Sequence, residues 1–241
     1  MTKPRTLALA VAAALAAATL TPAPAAAVDQ RVEVGQGFYV AHRPPRPGAW
    51  LVVVLHSRGH DWREPAAQGW STLADTKGFT AVYPVSPDGS WNAGLCCPPA
   101  STTGRDDGLW LARVLADAKA RYGTRYVAVA GFSNGGMMAE ALVHRRPWLT
   151  GRVAVWGSAP EMLGSPSTWS GRLLILHGAL DTTVPWAGTP SAAWCACPVR
   201  PAQATRGFLP SARVAGYLLA SYGHAPPPWW PARAWAFLSV P

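Results

Sequence analysis

The sequence predicts an α/β fold in which a mostly parallel sheet carries helices on both faces. Six short apolar runs are spread along the chain, with helix-like segments and turns rich in glycine and proline between them. The runs are apolar throughout rather than alternating, which is typical of strands covered on both sides. Strands that alternate with helices form parallel sheets through right-handed crossovers.

The predicted elements follow in chain order. The strands are placed at 50–55, 79–83, 126–130, 153–156, 173–176 and 214–220, and Pro84 is expected to end the second of them. Helices are placed at 106–122, 137–144 and 235–238. Asp106 suits a helix N-terminus and Gly123 a helix end. The segment 28–47 should add one or two edge strands.

The first 27 residues have the pattern of a secretory signal peptide. Lys3 and Arg5 precede an apolar stretch over 7–20, and Ala25-Ala26-Ala27 offers a cleavage site. The apolar stretch is shorter than the roughly 20 residues that a membrane span needs. We therefore predict a secreted protein with no stable membrane insertion, in which residues 28–241 form a single domain.

The chain is basic, with a formal net charge of +9. Removal of Lys3 and Arg5 lowers that charge by two, to +7. The arginines are scattered along the sequence: Arg31, Arg43, Arg58, Arg105, Arg125, Arg152, Arg172 and Arg213. Scatter argues against a nucleic-acid groove, which needs clustering on one face. We expect no nucleic-acid partner, although weak attraction to acidic polymers fits the charge.

The four cysteines form two close pairs, Cys96 with Cys97 and Cys195 with Cys197. An even count in an exported chain favours disulfides. Because a bridge between sequence neighbours closes a strained ring, we expect two cross-links between the pairs. The spacing within each pair is too short for zinc, so no metal is predicted.

Residues 131–135, Gly-Phe-Ser-Asn-Gly, match Gly-x-Ser-x-Gly between a predicted strand and a predicted helix. That context is typical of a nucleophile elbow, a tight turn that projects the serine oxygen from the sheet edge. Gly131 and Gly135 supply the clearance that such a turn needs. Ser133 is therefore the candidate nucleophile.

A serine nucleophile needs a histidine as base and a carboxylate that orients the histidine. In folds with this elbow, the acid follows the serine in the chain and the histidine follows the acid. Asp181 comes just after the fifth predicted strand, and His224 follows the sixth. Both positions lie where parallel sheets bind ligands. Glu161 is the alternative acid, and His177 is expected to be structural.

The oxyanion of such a site is held by backbone amides. One donor should be the amide of Asn134, the residue after the nucleophile. The other should come from the loop after the first predicted strand, His56-Ser57-Arg58-Gly59-His60. We favour the amide of Arg58, with Ser57 as the alternative.

The chain resembles the α/β-hydrolases, in particular the secreted polyhydroxybutyrate-depolymerase and feruloyl-esterase-like group, from about residue 50 to 238. Ser133 within its elbow and His177-Gly178 with Asp181 carry part of the resemblance. The most specific segment is Trp91-Asn92-Ala93-Gly94 with Cys96-Cys97. Two departures stand out: Ser57 replaces the usual glycine of the first oxyanion loop, and His224 lies farther than usual from the following tryptophan.

The resemblance implies a serine esterase with the same triad, no cofactor and an ester substrate that can be polymeric or aromatic. Trp91, Trp186 and Trp229 follow motifs near the predicted site and are candidates for an aromatic substrate wall. We expect a monomer. The alternatives are a serine peptidase on the same fold and a non-catalytic binding protein on a hydrolase scaffold.

Overall fold

The computed structural model of the chain describes residues 26–35, 37–195 and 197–240. All but the last two residues of the predicted signal peptide therefore lie outside the described residues. The strands are β1 Val28–Val34, β2 Gly37–Arg43, β3 Trp50–Leu55, β4 Thr80–Val85, β5 Tyr126–Phe132, β6 Arg152–Trp156, β7 Arg172–Gly178, β8 Thr189–Ala192, β9 Cys197–Val199 and β10 Arg213–Leu219. The helices are α1 Arg63–Ala67, α2 Trp70–Lys77, α3 Asp107–Tyr122, α4 Asn134–Arg145, α5 Thr205–Phe208 and α6 Trp230–Leu238, with a 3-10 helix at Ala202–Ala204.

Eight of the strands form one sheet in the order β1-β2-β4-β3-β5-β6-β7-β10. The six strands from β4 to β10 in this order are parallel, and β1 and β2 extend one edge as an antiparallel pair. The remaining two strands, β8 and β9, pair as a separate antiparallel ribbon. The predicted α/β class is confirmed, and the segment predicted to add one or two edge strands supplies two, β1 and β2.

The sheet has a core on each face, which explains why its central strands, such as β3, are apolar along their length. Along β3, Leu51 and Val53 pack into the core under α3 and α4, whereas Val52 and Val54 pack into the core under α2 and α6. All four side chains are at most 2% exposed. None of the helices in the part of the chain described here is long and apolar enough to cross a membrane.

The ends of α3 confirm the sequence signals for a helix start and stop. The Asp106 carboxylate accepts a hydrogen bond from the Leu109 amide at 2.9 Å, and Gly123 ends the helix at φ +63°. Residues other than glycine rarely adopt that φ. The other two predicted helices begin earlier than expected, since α4 starts at Asn134 and α6 at Trp230.

Pro84 does not end β4, contrary to the prediction. The strand continues to Val85 because β4 pairs with β3 only over Thr80–Val82, whereas it pairs with β2 as far as Val85. Past that point the strand has a ladder on one side only. A proline is tolerated there because one side of the strand needs no amide donor.

The predicted disulfide cross-links between the two cysteine pairs are wrong. Each cysteine is bonded within its own pair, Cys96 to Cys97 and Cys195 to Cys197. The prediction rested on the strain of a ring closed between sequence neighbours, whereas in the structure the peptide bond between Cys96 and Cys97 is cis and their Cα atoms are 3.0 Å apart. The Cα atoms of Cys195 and Cys197 are 5.1 Å apart, which is within the ordinary range for a disulfide.

Three of the arginines that are scattered in the sequence are neighbours in the fold. Arg152, Arg172 and Arg213 are the first residues of β6, β7 and β10. Arg172 is in register with Arg152 on one side and with Arg213 on the other. We call these three residues the arginine row. It lies at the amino-terminal edge of the parallel strands.

Candidate active site

Ser133 occupies the sharp turn between β5 and α4. Its φ is +54°, and among the described residues Ser133 is the only residue other than glycine with a positive φ. A Cβ at Gly131 would overlap the backbone of Gly135, and a Cβ at Gly135 would overlap the backbone carbonyl of Leu55. The positive φ of Ser133 is a backbone strain, and such strain is found at functional sites where the surrounding structure enforces it. The two glycines therefore let the turn pack close to β3, as predicted.

The three side chains predicted to form a triad lie within hydrogen-bond distance of one another. His224 Nε2 is 2.9 Å from Ser133 Oγ, and His224 Nδ1 is 2.8 Å from Asp181 Oδ2. The side chain of Asp181 is fully buried, and that of His224 is 21% exposed. The arrangement links a solvent-accessible hydroxyl to a buried carboxylate through one imidazole.

The Asp181 carboxylate is held by four groups. Its Oδ1 accepts hydrogen bonds from the amides of Thr183 and Val184, at 2.9 and 2.8 Å. Its Oδ2 faces His224 at 2.8 Å and His177 Nε2 at 3.3 Å. Burial opposes ionisation, but the hydrogen bonds from His177 and His224 outweigh it and hold the pKa of the Asp181 carboxyl well below its usual range. Asp181 is therefore ionised at neutral pH.

His177 supports the acid from behind, which agrees with its expected structural role. The ring is fully buried, and Nε2 donates to the carbonyl of Val184 at 2.6 Å. Glu161, the alternative acid, has no contact with His224. It is fully buried, its Oε1 accepts from the Arg200 amide at 3.1 Å, and burial raises its pKa. The geometry thus favours Asp181 over Glu161.

The loop that carries His224 is fixed by aromatic side chains. Trp156 Nε1 donates to the carbonyl of His224 at 2.9 Å. The ring of Trp229 packs edge-on against Trp156, and its Nε1 donates to the Tyr222 hydroxyl at 3.0 Å. On the cavity side, Phe132 lies 4.9 Å from the imidazole, centroid to centroid. The imidazole is therefore positioned from several sides.

Gly157 supports the pair formed by His224 and Asp181, and the sequence analysis missed it. It follows β6 with φ +56°, and a Cβ there would lie 3.2 Å from His224 Nδ1 and 3.4 Å from Asp181 Oδ2. Its position directly after an apolar strand was the available signal. The absence of a side chain lets the two catalytic candidates approach each other over its backbone.

We expect Gly157→Ala to lower kcat by roughly 10- to 100-fold with little change in KM, because the added methyl group would push the imidazole away from the carboxylate. Gly104→Ala is the matched control. Gly104 has a similar φ of +67°, but a Cβ there would meet nothing within 4 Å. Both variants should lose about 1 kcal/mol of unfolding free energy in urea. Equal kcat for the two variants would show that crowding at Gly157 does not matter.

Glu64 holds the loop after β3, which the sequence analysis predicted to supply an oxyanion donor. The Ser57 amide donates to Glu64 Oε2 at 2.6 Å, and the Ser57 hydroxyl donates to Glu64 Oε1 at 2.5 Å. The Ser57 amide is thus already used, which disfavours it as an oxyanion donor. The Arg58 amide has no hydrogen-bond partner among the described residues. Asn134 is the first residue of α4, so its amide has no carbonyl acceptor within the helix.

His56 fixes the same loop from inside the protein. Its Nδ1 is 2.8 Å from the Ser57 carbonyl, and its Nε2 accepts from the Ser86 amide at 3.1 Å. Burial lowers the pKa of His56 to about 4, so the ring is neutral at physiological pH. In that state Nδ1–H donates to the carbonyl of Ser57. The imidazole therefore ties the loop to the end of β4 without adding charge.

Ser133 and His224 open into a cavity of about 320 Å³. Its lining residues are Ser57, Arg58, His60, Glu64, Cys97, Phe132, Ser133, Asn134, Met137, Thr183, Trp194 and His224. Trp194 Nε1 donates to the Thr183 carbonyl at 2.8 Å, and the Arg58 guanidinium lies 5.7 Å from the Trp194 ring. No group of three His, Cys, Asp or Glu side chains in the described residues is arranged to hold a metal ion.

None of the three tryptophans predicted to contact substrate lines this cavity. Trp91 is fully buried and donates from Nε1 to the His56 carbonyl at 2.9 Å. Trp186 packs edge-on against His177, and Trp229 packs behind Trp156. These rings brace the loops that carry the site residues. The tryptophan that lines the cavity is Trp194. In the sequence, the available signal for it was its position directly before the Cys195 and Cys197 pair.

The chain is similar in sequence to part of one protein named as an esterase and in fold to several solved structures. It is 28% identical over 126 residues to the bifunctional acetylxylan esterase/xylanase XynS20E of Neocallimastix patriciarum, and the match covers 49% of this chain and 17% of that protein. No protein-family model matches. A carboxylesterase from Mesorhizobium loti superposes with a TM-score of 0.62 at 17% identity, covering 88% of this chain and 99% of that one.

Two further solved structures share the fold. TT1662 from Thermus thermophilus has a TM-score of 0.64 at 19% identity and covers 89% of this chain and 99% of its own. An acetyl xylan esterase from Aspergillus awamori has a TM-score of 0.59 at 18% identity, with coverages of 82% and 94%. At these identities the likeness establishes the fold.

Proposed function

Because the chain has the α/β-hydrolase fold, we propose that it is a carboxylic ester hydrolase that works through Ser133, His224 and Asp181. The observation that carries the proposal is the hydrogen-bonded line from Ser133 Oγ through His224 to Asp181 Oδ2, which opens into a cavity. The esterase names of the relatives agree with it.

The reaction proceeds in two halves. Ser133 Oγ attacks the ester carbonyl carbon while its proton passes to His224 Nε2, 2.9 Å away. The imidazolium gives that proton to the alcohol as the C–O bond breaks, which leaves an acyl group on Ser133. Water then attacks the acyl carbon, with His224 taking one of its protons and returning it to Ser133 Oγ. The ionised Asp181 stabilises the imidazolium and keeps Nδ1 protonated.

The amides of Arg58 and Asn134 would bind the tetrahedral oxyanion. Neither amide has a hydrogen-bond partner in the described part of the chain, and both residues line the cavity. The hydrogen bonds between Ser57 and Glu64 would hold the Arg58 side of the oxyanion hole. The loss of one such donor typically costs about 3 kcal/mol of transition-state stabilisation. Ser57, which replaces the usual glycine, turns its hydroxyl toward Glu64 rather than toward the hole.

The test is labelling with a fluorophosphonate followed by peptide mapping, together with turnover of short aryl esters and aminopeptide substrates. We expect one label, at Ser133, and turnover of the esters alone. A label without ester turnover but with peptide cleavage would favour a serine peptidase. No label at Ser133 would leave only a binding protein on this scaffold.

The substrate class is the finer part of the proposal. We assign the site to esters of the polyester, hydroxycinnamoyl or acetylated-polysaccharide class. The cavity is open on one side, and Phe132, Met137 and Trp194 give it an apolar lining next to Ser133. Such a lining suits an apolar or aromatic acyl group, while a polymeric alcohol would extend into solvent. Export through residues 1–27 and a monomeric state remain proposals of the same kind.

We expect Trp194→Ala to raise KM for a methyl hydroxycinnamate about tenfold and to change KM for an aryl acetate by less than about threefold. An aromatic acyl group would lose its contact with the indole ring, whereas an acetyl group is too small to reach it. Trp148→Ala is the control, since Trp148 is 75% exposed and does not line the cavity. Equal KM changes for both esters would remove Trp194 from the acyl site.

A further inference from the structure

The arginine row concentrates positive charge that no side-chain carboxylate of the described residues neutralises. Like charges in register on neighbouring strands destabilise a sheet. The chain has twelve Asp and Glu residues, and within the described residues none of their side chains forms a salt bridge with Arg152, Arg172 or Arg213. Burial and then the charge of Arg172 lower the pKa of Arg152. The row thus keeps a repulsion that an external anion would relieve.

Two of the guanidinium groups are held in place by contacts that leave their charge unpaired. Arg152 lies 5.1 Å from the Trp50 ring and donates from Nη1 to the carbonyls of Leu238 and Val240. Arg172 lies 4.9 Å from the Phe237 ring and donates from Nη1 to the Val240 carbonyl at 3.3 Å. Stacking on aromatic rings fixes the plane of a guanidinium and leaves N–H groups free for an acceptor. This pre-organisation lowers the entropy that binding costs.

Arg213 completes the row at the exposed edge of the sheet. Its side chain makes no hydrogen bond or ion pair with the described residues. The three arginines line a surface groove of about 390 Å³ together with Thr168 and Ser170. Hydroxyl groups beside arginines offer partners for both the acidic and the hydroxyl groups of a ligand. Pro147 also lines the groove, and the residue that follows it in the chain, Trp148, is exposed.

We propose that the arginine row binds an extended acidic polysaccharide through its carboxylate groups. Adjacent strands are about 4.8 Å apart, so the backbone positions of the three arginines repeat at roughly the length of one sugar unit. Guanidinium groups bind carboxylates in a two-point geometry, and the neighbouring hydroxyls match sugar hydroxyls. The row lies at the opposite end of the strands from Ser133, so a bound polymer leaves the candidate active site open.

The site is tested by the affinity for polygalacturonate at low and high salt, with neutral dextran, polyphosphate and a single-stranded DNA as the other probes. We expect wild-type protein to bind polygalacturonate at low salt, with a loss in high salt, and not to bind dextran. The double variant Arg172→Gln/Arg213→Gln should bind at least about tenfold more weakly. Arg213→Gln alone, which removes no contact of the fold, should weaken binding about threefold.

The matched control is Arg113→Gln/Arg233→Gln, which removes the same charge from two exposed positions on α3 and α6. It should keep its affinity within about threefold. Equal losses in the two double variants would mean that net charge alone attracts the polymer, and the proposal would fall. Tighter binding of polyphosphate or DNA than of polygalacturonate would overturn the assignment to carboxylates. Because binding is measured directly, it is independent of ester turnover.

Discussion

Ser133→Ala should lower kcat for an aryl ester by on the order of 10⁵-fold and abolish fluorophosphonate labelling. The variant keeps the turn but lacks the oxygen that would become acylated. A residual rate above that in buffer is expected, since the amides of Arg58 and Asn134 would still polarise a bound carbonyl. Turnover is measured after the variant has been purified apart from the wild type, so that carry-over does not set the lower limit.

The stability of that variant separates chemistry from folding. Within the described residues Ser133 Oγ makes one hydrogen bond, to His224, and alanine keeps the β-carbon at φ +54°. The free energy of unfolding should therefore change by less than about 1 kcal/mol. A variant that is as stable as the wild type and keeps full turnover would refute Ser133 as the nucleophile. A large loss of stability would instead mean that the hydroxyl has a structural role.

The strands were predictable from the sequence because two covered faces demand apolar residues at every position. The order of Ser133, Asp181 and His224 followed from the same logic, since each comes after the carboxyl end of a parallel strand. Strand ends fix where a loop begins and leave open where its side chains point. For that reason Trp186 and Trp229 were placed on the substrate side, whereas the structure turns them toward the back of the loops.

The arginine row shows the opposite case, in which the sequence held the information. Arg172 and Arg213 each stand directly before an apolar run, and Arg152 stands directly before another. Parallel strands in register bring their first residues side by side, however far apart they lie in the chain. Scatter along the sequence was therefore a poor measure of scatter in space. The disulfides differ again, because the peptide geometry between Cys96 and Cys97 had no sequence signal.

Asp181→Asn should lower kcat by roughly 10⁴-fold while leaving Ser133 in place. Asp181 Oδ1 accepts hydrogen bonds from two backbone amides. An asparagine would therefore keep its oxygen at that position and turn its NH₂ group toward His224. A donor at that position requires Nδ1 of the imidazole to be an acceptor. Nε2 would then carry the proton and could no longer take one from Ser133 Oγ. A loss of less than tenfold in kcat would show that Asp181 does not set the tautomer.

The same variant should change how stability depends on pH. The folded protein holds the pKa of Asp181 well below its usual range, so the carboxylate stabilises the fold above about pH 4, and this contribution is lost as the pH falls through the lowered pKa. Asparagine does not titrate. The gap in unfolding free energy between wild type and Asp181→Asn, measured in urea, should be largest near pH 6.5 and shrink toward pH 3.

Glu33→Gln, at an exposed carboxylate paired with Arg31, is the control and should show little gap at either pH. A gap of constant size for Asp181→Asn would mean that ionisation of this carboxyl is not coupled to folding, and the hydrogen bonds around Oδ2 would then stabilise the charged and neutral forms alike.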